Sequence, residues 1–106
     1  MLIMLWNINQ NSTPFEYTMS GVEVGPARCR ILAHHLAKNT SLLSLHMSRK
    51  GIDDSGGVDL AKMLLHNKTL RKLELEGNLL QKDSAIQFGK ALKENRTLKY
   101  LDLESN

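Results

Sequence analysis

The sequence predicts an α/β fold: a curved, right-handed solenoid of about three strand–helix units, with parallel strands on the concave face and helices on the convex face. Three observations predict it. The runs Leu42-x-x-Leu45-x-Met47, Leu70-x-x-Leu73-x-Leu75 and Leu98-x-x-Leu101-x-Leu103 recur at a fixed spacing of 28 residues. Inside each run apolar and polar residues alternate, which is strand patterning. Between the runs, apolar residues recur at helical spacing.

The elements follow in chain order. Met1 to Asn11 is out of register with the repeats. There Leu2, Met4 and Trp6 alternate with Ile3 and Leu5, which reads as a strand or cap covering the first unit. Residues 1–20 are therefore assigned as an N-terminal cap or degenerate repeat, and 21–106 as repeats truncated at the C-terminal end. The first strand unit, with Pro14, Tyr17, Met19 and Val24, is degenerate. Pro26 opens the first helix, where its missing N–H costs nothing. Cys29, Ile31, Leu32, Ala33 and Leu36 form its apolar face. The next helix, between Asp53 and Asn67, repeats that face with Val58, Leu60, Ala61, Met63 and Leu64.

In the third unit, Leu73 and Leu75 alternate with Lys72, Glu74 and Glu76. Gly77 and Asn78 break the strand, and Leu80 points back inward. Asp83 is the expected N-cap of a helix with Ile86, Phe88, Gly89, Ala91 and Leu92 on one face. Small residues share two columns, Cys29/Gly57/Ala85 and Ala33/Ala61/Gly89, as close helix–sheet packing requires. The expected strands lie near 43–47, 71–75 and 99–103, and the expected helices near 27–38, 55–66 and 83–94.

One strand plus one helix cannot bury its own apolar face, so the units stack into a continuous core. A helix is about 10 Å wide and strands are ~4.8 Å apart, so the stack curves with the strands inside. No polar capping unit follows Leu98–Asn106, so the chain reads as part of a longer solenoid or a truncated isoform. The last strand leaves an unpaired edge beside Leu101 and Leu103, which predicts a homodimer through the open C-terminal edge.

Length and composition set the outer bounds. A chain of 106 residues suggests one domain. With 14 basic and 11 acidic residues, the net charge of +3 is too balanced to imply a nucleic-acid partner. The single cysteine, Cys29, rules out an intrachain disulfide and favours a reducing, cytoplasmic location. The apolar opening Met1–Trp6 lacks a basic flank and a cleavage site, so it is a poor signal peptide. No stretch approaches the ~18 apolar residues of a membrane span, and no membrane partner is expected.

No catalytic constellation is legible, and the chain is not read as an enzyme. His34, His35, His46 and His66 show no metal-ligand spacing, so no metal and no cofactor is expected. His34 shares a column with Lys62 and Lys90 and should face solvent. Cys29 sits in a small-residue column and reads as a packing thiol. Four N-x-[ST] sequons begin at Asn11, Asn39, Asn67 and Asn95. Three fall at the repeat period, at the helix-to-strand junction, where a left-handed asparagine can end a helix; architecture, rather than glycosylation, explains them. Gly51, Gly56 and Gly57 lack the Lys-Ser/Thr of a phosphate-binding loop.

The outward strand positions line up in columns across the concave face: Glu16, Ser44, Lys72, Tyr100; Thr18, His46, Glu74, Asp102; Ser20, Ser48, Glu76, Glu104. The last two strands thus set Glu74, Asp102, Glu76 and Glu104 side by side, while the helices and turns are rich in lysine. His46, Lys72, Glu74, Glu76, Tyr100, Asp102 and Glu104 are the candidate partner-binding residues. Mutual repulsion of the carboxylates predicts a basic protein partner.

The 28-residue period, the full helix per unit, and the N-x-[ST]-L junction leading into L-x-x-L-x-L-x-x-N resemble the ribonuclease-inhibitor subtype of leucine-rich repeat over roughly Gly21 to Asn106. Asn78 and Asn106 fill the asparagine column; Lys50 and Val22 depart from it, which predicts a broken asparagine ladder in the N-terminal half. The resemblance extends to ribonuclease inhibitor, the Ran GTPase-activating protein, tropomodulin and the repeat domains of NOD-like receptors. It implies an intracellular adaptor or regulatory scaffold that binds proteins along its concave face. Its alternatives are a regulator of a small GTPase and an actin-associated module similar to tropomodulin.

Overall fold

The computed structural model describes residues 6–8, 10, 15–19 and 23–106. Four strands alternate with three long helices: β1 (Glu16–Thr18), α1 (Pro26–Lys38), β2 (Ser44–His46), α2 (Asp54–Met63), β3 (Lys72–Glu74), α3 (Lys82–Glu94) and β4 (Tyr100–Asp102). The strands form one parallel sheet in the order β1-β2-β3-β4. Every register is the 28-residue offset, so Leu45 faces Leu73 and Leu73 faces Leu101. Consecutive parallel strands joined by a helix, packed α1 on α2 and α2 on α3, make the expected solenoid.

The core is the column of repeat leucines. Leu42, Leu45, Met47, Leu70, Leu73 and Leu75 are fully buried, with Leu32, Leu36, Leu60, Leu64 and Phe88 from the helices. Residues 6–8 form a helical turn rather than a strand, because the Gln10 N–H bonds back to the Trp6 carbonyl. Ile8 joins the core and Trp6 is exposed. Leu2 to Leu5, Pro14, Ser20 and Val22 lie outside the described residues.

Two asparagine ladders replace backbone partners that the tight turns cannot supply. Asn78 donates to the carbonyls of Met47 and Leu75 and accepts from the N–H groups of Lys50 and Ile52. Asn106 repeats the pattern on Leu75, Leu103 and Leu80. At Lys50 the side-chain ladder stops, as its residue type requires, and the Lys50 carbonyl takes the Val24 N–H directly. The turn before this ladder needs a left-handed residue at 49, 77 and 105, with φ of 56°, 71° and 58°. Only Gly77 adopts that conformation freely; Arg49 and Ser105 bear a side chain there.

The second ladder is Asn39, Asn67 and Asn95. Each is buried, and Asn39 and Asn95 are extended, not left-handed. The reason lies in the amide. Asn67 donates to Leu36 O and accepts from the N–H groups of Thr69 and Leu70, and Asn95 donates to Leu64 O and Asn67 O and accepts from Thr97 and Leu98. An extended backbone aims the side chain across the stack.

Helix starts are also shared between units. Asp53 caps α2 through the Gly56 N–H. Asp83 does not cap α3. The carboxylate of Asp54, one unit back, accepts the N–H groups of Gln81, Asp83 and Ser84, and Ser84 Oγ donates to the Asp54 carbonyl. Those bonds, from Ser84 foremost, hold the Asp54 carboxyl below its ordinary range.

Candidate partner-binding face

The register places the predicted columns as expected: Glu16, Ser44, Lys72 and Tyr100 share one row, and Thr18, His46, Glu74 and Asp102 the next. Alternation puts their side chains on the face opposite Leu45, Leu73 and Leu101. Leu45 and Leu73, buried on the other side, anchor β2 and β3 beneath this row, with Tyr17 and Leu101 partly buried beside them.

The face is not the bare acidic surface that the column pattern predicts. His46 lies between two carboxylates, with Nδ1 2.5 Å from Glu74 Oε2 and Nε2 2.5 Å from Glu16 Oε1. The Lys72 ammonium is 3.2 Å from the other Glu74 oxygen, and Arg49 Nη2 is 3.3 Å from Glu76. Two ionised carboxylates accept; neither donates. While both carboxylates are ionised, both ring nitrogens must donate, so this geometry fits the imidazolium form of His46. Its hydrogen bond to Glu74, and then that to Glu16, raise its pKa against the opposing effect of burial. The His46 bond, and then that from Lys72, lower the pKa of Glu74. The bond to Glu74 raises Lys72.

Repulsion between Glu74 and its neighbours is thus offset inside the molecule. Asp102 and Glu104 make no ion pair among the described residues; Asp102 accepts the Glu104 N–H instead. Beside them Tyr100 is half exposed, and Lys72 Nζ stands 4.9 Å from its ring centre, a cation–π contact. The seven candidate residues therefore divide. His46, Lys72, Glu74 and Glu76 belong to a charge-compensated network, while Tyr100, Asp102 and Glu104 form the uncompensated end on β4. Two members of the network, Glu16 and Arg49, are not among the seven. Arg49 had one legible signal, its place in the Gly77 column; its pairing depends on the side chain's reach.

The other site readings resolve through burial. Cys29 is buried, its thiol facing the Gly56 carbonyl, and burial with Asp59 and Asp53 nearby pushes its pKa up to about 12. It is a packing thiol, not a nucleophile. Asn39, Asn67 and Asn95 are buried amides with their bonding capacity used, which the architectural reading of the sequons requires. His34, Lys62 and Lys90 are all exposed.

At the C-terminal end the same columns change environment. Leu36 and Leu64 are fully buried, but Leu92, the next in column, is 40% exposed. Ala61 is buried while Gly89 has open space where a Cβ would be. Ile86 is exposed too, against the expectation of one buried face for α3. A cleft of about 340 Å³, lined chiefly by Leu80, Phe88, Ala85 and Leu103, opens beside α3 and β4.

A leucine-rich repeat family model matches residues 38–61 and 94–106. The matched segments are leucine-rich repeats. The fold of the chain is similar to the solved structure titled leiomodin-1 actin-binding site 2 (ABS2), with a TM-score of 0.85 and 22% sequence identity. The match covers 96% of this chain and 61% of that one, so the repeat protein spans about three fifths of the leiomodin-1 chain. No curated protein matches the sequence. No helix among the described residues is long and apolar enough to cross a membrane, and the described residues hold no cluster of three or more metal-ligating side chains.

Proposed function

We propose that this repeat protein is a protein–protein interaction module, an adaptor or regulatory scaffold that takes its partner on the concave face. The observation that carries this reading is the uncompensated end of that face. Tyr100, 49% exposed, meets Lys72 across the strand pair and adjoins Asp102 and Glu104, which make no ion pair among the described residues. An exposed aromatic ringed by charge is the composition of a binding hot spot. The free carboxylates favour a Lys- or Arg-bearing segment, and the reading does not call for chemistry at the site. The buried lone thiol of Cys29 suits a reducing, cytoplasmic setting.

The test is affinity capture with the chain as bait, wild type beside the Tyr100→Ala, Asp102→Asn double variant. A concave-face module retains partners that the double variant loses, while Lys90→Gln on the convex face retains them. Equal retention by all three sinks the reading.

A second reading, an actin-associated module, is favoured by the likeness to a structure whose title names an actin-binding site. Co-sedimentation with actin filaments, and a pointed-end elongation assay, decide it directly. No binding and no effect at tens of micromolar protein removes actin and leaves the general module standing.

A further inference from the structure

We infer that the groove between α1 and α2, on the convex face, binds a phosphate-bearing group. The surface is remote in function from the concave face, and a partner on the sheet leaves it open. Helix α1 carries Arg28, Arg30 and Lys38 with two histidines and no acidic residue. The groove, about 260 Å³, is walled by Arg30 and His34 on one side and by Lys62 and His66 on the other, with Asp59 beside them and Ala33 among the small residues lining it.

The spacing makes this a set of donors rather than a scatter of surface charge. Arg30 and His34 stand four residues apart on one ridge of α1, while Lys62 lies in the last turn of α2 and His66 in the turn that follows it. The 28-residue offset puts His34 and Lys62 at equivalent places on adjacent helices. None of these four groups is in an ion pair among the described residues, although the protein pairs its cations readily on the opposite face. Asp59 is the one carboxylate in the groove. Apart from the two imidazoles the lining carries two cations and one anion, a net +1.

A phosphate monoester suits this lining better than a carboxylate. It brings close to two negative charges and three acceptor oxygens. Arginine offers a planar fork to two of them, lysine a point charge, and the imidazoles an N–H each. A carboxylate has only two oxygens and would leave donors on one wall unused.

The experiment is a titration of the whole chain with inorganic pyrophosphate, followed by heteronuclear NMR. The side-chain signals of Arg30, His34, Lys62 and His66 should move together and saturate with one dissociation constant. Arg30→Gln with Lys62→Gln, both at exposed positions, should weaken binding by about tenfold or more, as expected when charge-assisted bonds are lost. Lys82→Gln with Lys93→Gln, outside the groove, should change it less than about twofold. Unsaturated shifts spread over all convex lysines, or equal losses in both pairs, would overturn the inference in favour of diffuse screening. Soluble inositol trisphosphate and vesicles bearing a phosphatidylinositol phosphate then separate the sources. Binding of the soluble compound assigns a free ligand, binding of vesicles alone assigns a lipid headgroup, and failure of both with pyrophosphate overturns the site.

Discussion

The Nδ1 atom of His46 stands 2.5 Å from Oε2 of Glu74, on the adjacent strand, in direct register with it. The same ring reaches Glu16 on the strand to the other side, so one imidazolium ties β1, β2 and β3 together. The first strand unit departs most from the repeat consensus, and this tie fixes it where leucine packing is weakest.

The tie has a pH window. The folded-state pKa of His46 is raised above its ordinary 6.5, so its contribution is complete below that value and is lost as pH rises through the folded pKa. Glu74 is lowered from 4.5, so its contribution is complete above that value and fades as pH falls through its folded pKa. Both act fully between about pH 4.5 and 6.5. His46→Gln should cost roughly 1–2 kcal/mol near pH 6 and less as pH rises through the folded-state pKa, where the wild type loses its proton. Thermal unfolding of both proteins across that rise in pH checks this; a cost independent of pH refutes the imidazolium.

Two glycines of the small-residue columns should respond with opposite signs to alanine. A Cβ at Gly57 would stand 2.6 Å from Leu80 Cδ2 and closer still to Ser84 Oγ. Gly57→Ala should therefore destabilise by about 1–3 kcal/mol despite the better helix propensity. Gly89 meets nothing within 4 Å, so Gly89→Ala should stabilise by about 0.5–1 kcal/mol. Urea titration of both variants gives the answer.

Asn67 should be the costliest polar position. Its amide serves both Leu36 O and the N–H groups of Thr69 and Leu70 in a buried site. Asn67→Ala leaves the Thr69 and Leu70 N–H groups without their acceptor, while the Leu36 carbonyl keeps the Asn39 N–H, and should cost about 2–3 kcal/mol. Denaturant unfolding measures it, and a loss within 0.5 kcal/mol, the ordinary scale of a surface change, would show that water enters the ladder.

The open edge of β4 should pair with a second copy. In the repeat before it, the Leu75 and Gly77 N–H groups donate to Asp102 and Glu104, and the Arg71 carbonyl accepts from Lys99. Among the described residues no strand lies beside the equivalent Leu103 and Ser105 N–H groups and Lys99 carbonyl. Beside them the apolar cleft of Leu80, Phe88 and Leu103 lies open. Light scattering at hundreds of micromolar should report a dimer that Leu103→Lys abolishes; a monomer throughout rejects the pairing.

Much of this molecule was legible from residue order alone. A repeat of constant length forces constant register, so writing the sequence in rows of 28 already set Glu74 opposite Asp102 and Leu73 opposite Leu101. Helix faces were legible at Leu32, Leu36, Leu60 and Leu64, where apolar spacing reports the side that meets the sheet, but not at Ile31 and Ile86, which are exposed. The tertiary structure decided what each column position meets in space. Leu92 and Leu64 share a column, but among the described residues only Leu64 is covered by a neighbouring unit. Asp54 caps the helix of the next unit because its carboxylate spans the gap between helices, a reach that sequence spacing does not encode. Above all, the acidic columns became a compensated network. Strand register brings residues to one row, but the rotamers of His46, Lys72 and Arg49 carry the opposite charges to Glu74 and Glu76 across that row. Register is a property of backbone periodicity and can be read in one dimension; charge pairing depends on distances between side-chain ends, which exist only in three.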